Sequence, residues 1–163
     1  MVREYLLALA ALSVGGCSAL LDWSDEQIPK DAYDLPYTPE QCTYLEPNDT
    51  RETAAVYDPA MAAAGAICKQ DPVDHDFYKI TVTDNASVTL TLTFPEGGDL
   101  DLRLFDIAGS QLAQSRDVTT TETITCPSQV SGCAPLAAGD YVVEVYPALD
   151  TGFNAYQLDV TQP

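Results

Sequence analysis

Two groups of oxygen-bearing side chains are the residues of this chain best suited to chemistry: Glu46, Asn48 and Asp49, then Asp71, Asp74 and Asp76. Calcium takes six to eight oxygens from carboxylates, amides and carbonyls, so it needs acids brought together from adaptable segments. The first group lies just before the first strand candidates and the second just before the alternating segment that starts at Phe77, so the two could converge. Cys42 and Cys68 flank them, and a disulfide between those two would draw the groups toward each other. The competing expectation is metal-free turn chemistry, with Asn48 and Asp49 shaping a turn and Asp76 accepting backbone donors where a strand begins.

Catalysis is hard to build from what remains. A Ser-His-Asp hydrolase could use only His75, the single histidine, which sits among acids in DPVDHDF, and no Gly-x-Ser-x-Gly elbow occurs. His75 is expected to be a loop residue. Carboxylate pairs of the glycosidase kind are always available in so acidic a chain and carry no information. Asp99, Asp101 and Asp106 are expected to be solvated strand and turn residues. The patterns Asn48-Asp49-Thr50 and Asn85-Ala86-Ser87 match glycosylation acceptors by accident of composition. No catalytic residue is assigned.

The elements that must hold these residues are strands. Tyr78, Ile80 and Val82 alternate with Lys79 and Thr81, and Val88, Leu90, Leu92 and Phe94 alternate with threonines. Leu100, Leu102 and Leu104, then Tyr141, Val143 and Val145, then Tyr156, Leu158 and Val160 repeat the pattern, which is that of half-buried strands. Weaker candidates lie at Ala66–Cys68, Gln111–Ala113 and Thr119–Thr125, the last no more than an edge strand. Turns fall at Asp84-Asn85, Glu96-Gly97-Gly98, Ala108-Gly109-Ser110, Ala138-Gly139-Asp140 and Asp150-Thr151-Gly152. The only short helix candidate is Pro59–Ala64. The spacing predicts an all-β, two-sheet antiparallel β-sandwich with one core. Tyr146, Phe153 and Tyr37 are expected to be exposed contact residues.

The balance of Lys+Arg 7 against Asp+Glu 25, a net charge of −18, repels phosphate backbones and excludes nucleic acid as a partner. Four of the five cysteines, Cys42, Cys68, Cys126 and Cys133, form an even set without zinc-site spacing, so two disulfides are expected. Three pairings are open. Cys126 with Cys133 is favoured because the intervening PSQVSG can fold back as a loop, which leaves Cys42 for Cys68.

Met1–Cys17, MVREYLLALAALSVGGC, has a charged start, an apolar run and small residues before a cysteine, the marks of a cleaved secretory signal over residues 1–16. The run is shorter than the roughly 20 apolar residues of a membrane span. Val14-Gly15-Gly16-Cys17 resembles the bacterial lipobox, which implies a covalent lipid (diacylglycerol and an acyl chain such as palmitate) on Cys17. Two or three chains, at about 0.8 kcal/mol per buried CH₂, would anchor the protein to a membrane. Ser18 after the cysteine, by resemblance to enterobacterial sorting, implies an outer-membrane location. Residues 17–41, with prolines, acids and no period of 2 or 3.6, read as an extended acidic linker.

Glu46-Pro47-Asn48-Asp49-Thr50, Asp74-His75-Asp76-Phe77-Tyr78, the run from Asp99 to Asp106, Gly139-Asp140-Tyr141-Val142-Val143-Glu144-Val145 and Tyr156-Gln157-Leu158 follow one another in this order. The succession resembles the bacterial pre-peptidase C-terminal (PPC) domain over roughly Leu45–Val160. The resemblance implies a jelly-roll-like sandwich, related to collagenase collagen-binding domains, within residues 42–163. In those relatives an acidic N-terminal segment and an Asp-containing loop share calcium, and Glu46, Asn48, Asp49, Asp71 and Asp74 are the nearest matches. No peptidase accompanies the domain here. The expected function is a non-enzymatic binding module at the cell envelope, its partner an extracellular or envelope protein or polysaccharide. The alternative is a structural or accessory subunit of an envelope or secreted-protein assembly, and the weakest reading is a hydrolase or its accessory.

Overall fold

The computed structural model describes residues 40–43, 45–60, 63–68, 72–83, 87–149 and 152–162. The signal segment, Cys17, nearly all of the linker with Tyr37, and Asp71 lie outside the described residues, as do Asn85 and Asp150.

After a 3-10 turn at Gln41–Thr43 come nine strands: β1 (Ala55–Val56), β2 (Ala63–Ile67), β3 (Asp76–Val82), β4 (Val88–Thr93), β5 (Leu100–Asp106), β6 (Gln111–Ser115), β7 (Thr121–Cys126), β8 (Gly139–Pro147) and β9 (Asn154–Thr161). They form a five-stranded sheet, ordered β1-β3-β8-β5-β6, and a four-stranded sheet, ordered β2-β9-β4-β7. All neighbours are antiparallel except the short β1, which runs parallel to β3. The sequence pattern carries no sign of that pair, because two residues have no period.

The inward alternates of both sheets meet in one core. Tyr78, Ile80, Leu102, Leu104, Val143 and Val145 from the larger sheet pack with Ile67, Leu90, Leu92, Ile124 and Leu158 from the smaller. Each such side chain contributes about 1.5–3 kcal/mol when fully buried. One side of the sandwich is closed by polar links between β6 and β7. The Thr123 amide donates to Ser115 Oγ, and both oxygens of the fully buried Glu122 carboxylate accept the Asp117 amide, at 3.0 and 3.1 Å. Thr121–Cys126 is an edge strand, as its weak alternation suggested.

The helix expected at Pro59–Ala64 is overturned: Ala63 and Ala64 open β2 and pair with Leu158 and Gln157. Small side chains are needed here for packing. A Cβ on Gly65 would lie 2.5 Å from the Tyr156 hydroxyl and 3.1 Å from that of Tyr78. Tertiary fit therefore overrides alanine's helix propensity. The two disulfides join Cys42 to Cys68 and Cys126 to Cys133.

Candidate functional site

β3 begins where the acids meet. The Phe77 amide donates to the Asn48 carbonyl at 2.9 Å, which ties the segment after Glu46 to the head of the strand. The Cys42–Cys68 bridge fixes the end of β2 nearby, and the Cys68 amide donates to Asp74 Oδ2 at 2.7 Å. One carboxylate oxygen from each of Glu46, Asp74 and Asp76 lies within 4.8 Å of the others. That is the spread of oxygens around one calcium ion, whose ligand distances are about 2.3–2.6 Å.

The group is unusually well hidden from water. Asn48, Asp74 and Asp76 are 0, 1 and 3 % exposed, while Glu46 is half-buried and Asp49 exposed. One oxygen of each carboxylate is held by a protein donor: Glu46 Oε2 by the Asn48 amide at 3.0 Å, Asp74 Oδ2 by Cys68, and Asp76 Oδ2 by the Tyr156 hydroxyl. Tyr156 in turn shares a 2.6 Å hydrogen bond with Tyr78. Asp74 Oδ1 and both amide atoms of Asn48 are fully buried.

The electrostatics follow from this burial. Loss of solvent raises the Glu46 carboxyl, an effect that the Asn48 amide opposes and the Asp49 charge reinforces. Burial pushes Asp74 up to about 6, against the pull of the Cys68 amide and with the help of the Glu46 and Asp49 charges. Asp76 is raised well above the carboxylate range by burial, although Tyr156 stabilises its anion. Burial and other acids dominate these shifts, and no cation is among the main influences. Neutralisation must come from protons or from an added cation. The donors are all hard oxygens, with buried acceptors at Asn48 and Asp74, and this set fits calcium. Glu46, Asn48, Asp49, Asp74 and Asp76 are the residues that could hold it. Asp71 lies outside the described residues.

Three surface expectations are corrected. Asp101 is on a strand, β5, as expected but only 5 % exposed, because Tyr146 of β8 stands opposite it. Tyr146 is buried beneath the Arg103 guanidinium, 3.7 Å from its ring centroid, and His75, 5.9 Å away. Phe153 is half-buried against the core. His75 does precede β3 as a loop residue, with Nδ1 2.7 Å from Glu144 Oε1. The Arg103–Glu144 pair over Tyr146 escaped the sequence reading. Their only signal was outward alternation, which does not reveal cross-strand stacking.

A two-sheet β domain with an acidic clasp at the head of one strand defines the class. Residues 74–147 match the family model described as the bacterial pre-peptidase C-terminal domain, so this part of the chain is similar to that family. The pre-peptidase C-terminal domain of a collagenase from Bacillus anthracis shares the fold, with a TM-score of 0.53 at 17 % identity over 66 % of this chain and 94 % of that one. A periplasmic inhibitor of g-type lysozyme from Aeromonas hydrophila aligns with a TM-score of 0.45 and 14 % identity, over 68 % of this chain and 96 % of the inhibitor. No curated protein matches the sequence. Among the described residues no helix is long and apolar enough to cross a membrane.

Proposed function

We propose that this chain is a calcium-stabilised, non-enzymatic binding module, held at the outer membrane through lipid on Cys17 and presented on the linker of residues 17–41. One observation carries the calcium reading: three carboxylates from two chain segments converge with a fully buried asparagine side chain beside them. An ion there would discharge the cluster and clamp the segment after Glu46 to the end of β2. A PPC-like domain and the absence of an assembled catalytic group among the described residues support a binding role. His75, the only histidine, is engaged by Glu144 and stacked on Tyr146.

The test is a thermal unfolding series of the full chain in chelator and in millimolar calcium. The midpoint should rise with calcium and return when chelator is added. An unchanged midpoint removes the calcium reading. A binding module should capture one reproducible partner from envelope extracts, whereas stoichiometric copurification with one assembly would indicate an accessory subunit instead.

A further inference from the structure

The outward face of the five-stranded sheet gathers what the other described residues of this acidic protein lack. Arg51, Lys79, Arg103 and Arg116, every arginine and lysine among the described residues, meet there with the only histidine. Register sets the arrangement. Tyr146 stands opposite Asp101, with His75 stacked on its ring and Arg116 close enough to bear on both. In the next row Glu144 lies between Phe77 and Arg103, and Arg103 is followed by Gln114. In the third, Val142 lies between Lys79 and Phe105. Arg51 covers the Phe105 ring at 5.7 Å and donates to the Gly109 carbonyl at 3.1 Å. At about 4.8 Å between strands, the platform from β3 to β6 spans about 14 Å.

The strand acids on this face, Asp101, Asp140 and Glu144, are already engaged, Asp140 by the Thr81 hydroxyl at 2.8 Å. Glu144 accepts from Arg103 at 3.2 Å and pairs with His75, and Asp101 lies under the influence of Arg116 and Arg103. Two guanidinium groups lie over aromatic rings, Arg103 on Tyr146 at 3.7 Å and Arg51 on Phe105 at 5.7 Å, and each gives one N–H to the protein. Arg103 Nε is buried without a hydrogen-bond partner among the described residues, while the Tyr146 hydroxyl is engaged by the Asp101 carboxylate opposite it. The exposed guanidinium of Arg116 beside the half-buried one of Arg103 offers N–H donors to an oxygen-bearing anion.

We propose that this face binds an acidic polysaccharide, one bearing carboxylates on successive sugar rings, through Arg103 and Arg116 with Lys79 and Arg51 as flanking contacts. The proposal deepens the binding-module reading and rests on it. Carboxylates suit the guanidinium forks bidentately. An acidic polypeptide suits the face less well. β3, β8 and β5 each have neighbours on both sides, so the platform offers an extended peptide no free strand edge. A thin polysaccharide also confines its charge to the platform, away from the acids responsible for the −18 total.

The experiment is calorimetric titration of the full chain with oligogalacturonate, with neutral dextran oligomers and with poly-glutamate, at low and moderate salt. Oligogalacturonate should bind saturably and more weakly as salt rises, and dextran should not bind. Arg103→Gln and the exposed Arg116→Gln should each weaken binding roughly tenfold, the worth of one charge-assisted contact. Thermal midpoints of both variants establish that they fold, and Arg116→Gln, with no close structural role, keeps the test decisive if Arg103→Gln unfolds. No saturable oligogalacturonate binding, binding indifferent to Arg116→Gln, or tighter binding of poly-glutamate overturns the proposal. The calcium midpoint shift measured on the same preparation separates the outcomes: its persistence without uronate binding sinks only the polysaccharide.

Discussion

Replacing Asp74 by asparagine should make the metal-free protein more stable and the calcium-loaded protein less so. The side chain is 1 % exposed, and its proton affinity is raised from the ordinary 3.8 to about 6, mainly by burial. At about 1.4 kcal/mol for each tenfold change in proton affinity, holding this carboxylate ionised costs the folded state about 3 kcal/mol at neutral pH. The direction follows from the raised affinity: folding favours the protonated form. The cost is therefore absent below the unfolded value of about 3.9, grows as pH climbs toward about 6, and is complete by about pH 7. The amide introduced by Asp74→Asn would still offer an oxygen to the Cys68 N–H, so the substitution removes the charge and keeps the hydrogen bond. Urea unfolding in chelator should show the variant stabilised by up to about 3 kcal/mol near pH 7, shrinking toward zero near pH 4. In calcium the order should reverse, since wild type gains about 4.1 kcal/mol at a thousandfold excess over Kd and the variant has lost a ligand. A variant less stable than wild type in chelator at pH 7, or a difference that does not shrink in acid, would refute the reasoning.

Gly65→Ala should lower stability by about 2 kcal/mol in urea unfolding, because the new methyl meets the Tyr156 and Tyr78 hydroxyls that support Asp76. Cys42→Ser with Cys68→Ser should cost about 3 kcal/mol by releasing a 26-residue separation, and calorimetry should also show weaker calcium binding, since Cys68 holds Asp74. Arg51→Gln, far from the carboxylates in chemistry but on the segment that follows Asn48 and Asp49, should weaken calcium binding a few-fold while leaving stability in chelator within about 0.5 kcal/mol. Unchanged affinity would show that the segment does not couple the two places. Cys17→Ser should move the protein from the membrane fraction to the soluble fraction and abolish fatty-acid labelling in cells; retained labelling would remove the lipid reading.

The long strands were legible because alternation is a local property. Leu90 and Leu92, or Val143 and Val145, announce their face within one segment, and each lies in the core. β1 was not legible, and β2 only at its end, where Ala66–Cys68 was a weak strand candidate. Two residues carry no period, and the start of β2 is an alanine-rich stretch whose Gly65 lies against the hydroxyls of Tyr156 and Tyr78, distant in sequence. The acidic clasp was legible in part, since clustering in sequence and flanking cysteines are both local signs. Its burial was not, because Asp76 is hidden by Tyr156 from the last strand. The cationic face was invisible for the same reason. Lys79, Arg103 and Arg116 are spread along the chain from β3 to the end of β6, and only the register of β3, β8, β5 and β6 lines them up.

The segment from Glu46 to Val56 joins these two parts of the molecule. It begins with carboxylate and amide groups at the head of β3, crosses to place Arg51 on Phe105 and Gly109, and ends in the parallel pairing of Ala55 with Tyr78. Tyr78 is the residue whose hydroxyl meets Tyr156, the donor to Asp76, so both ends of the segment lead back to the same buried carboxylate. A segment pinned at both ends has little freedom left between them, and an ion that fixed Asn48 and Asp49 would restrict Arg51 as well. Linkage makes such restriction reciprocal in binding free energy: whatever calcium contributes to ordering Arg51, a ligand that orders Arg51 returns to calcium. The acidic clasp and the cationic face thus belong to one mechanical unit, in which a surplus of negative charge at one end serves to position scarce positive charge at the other.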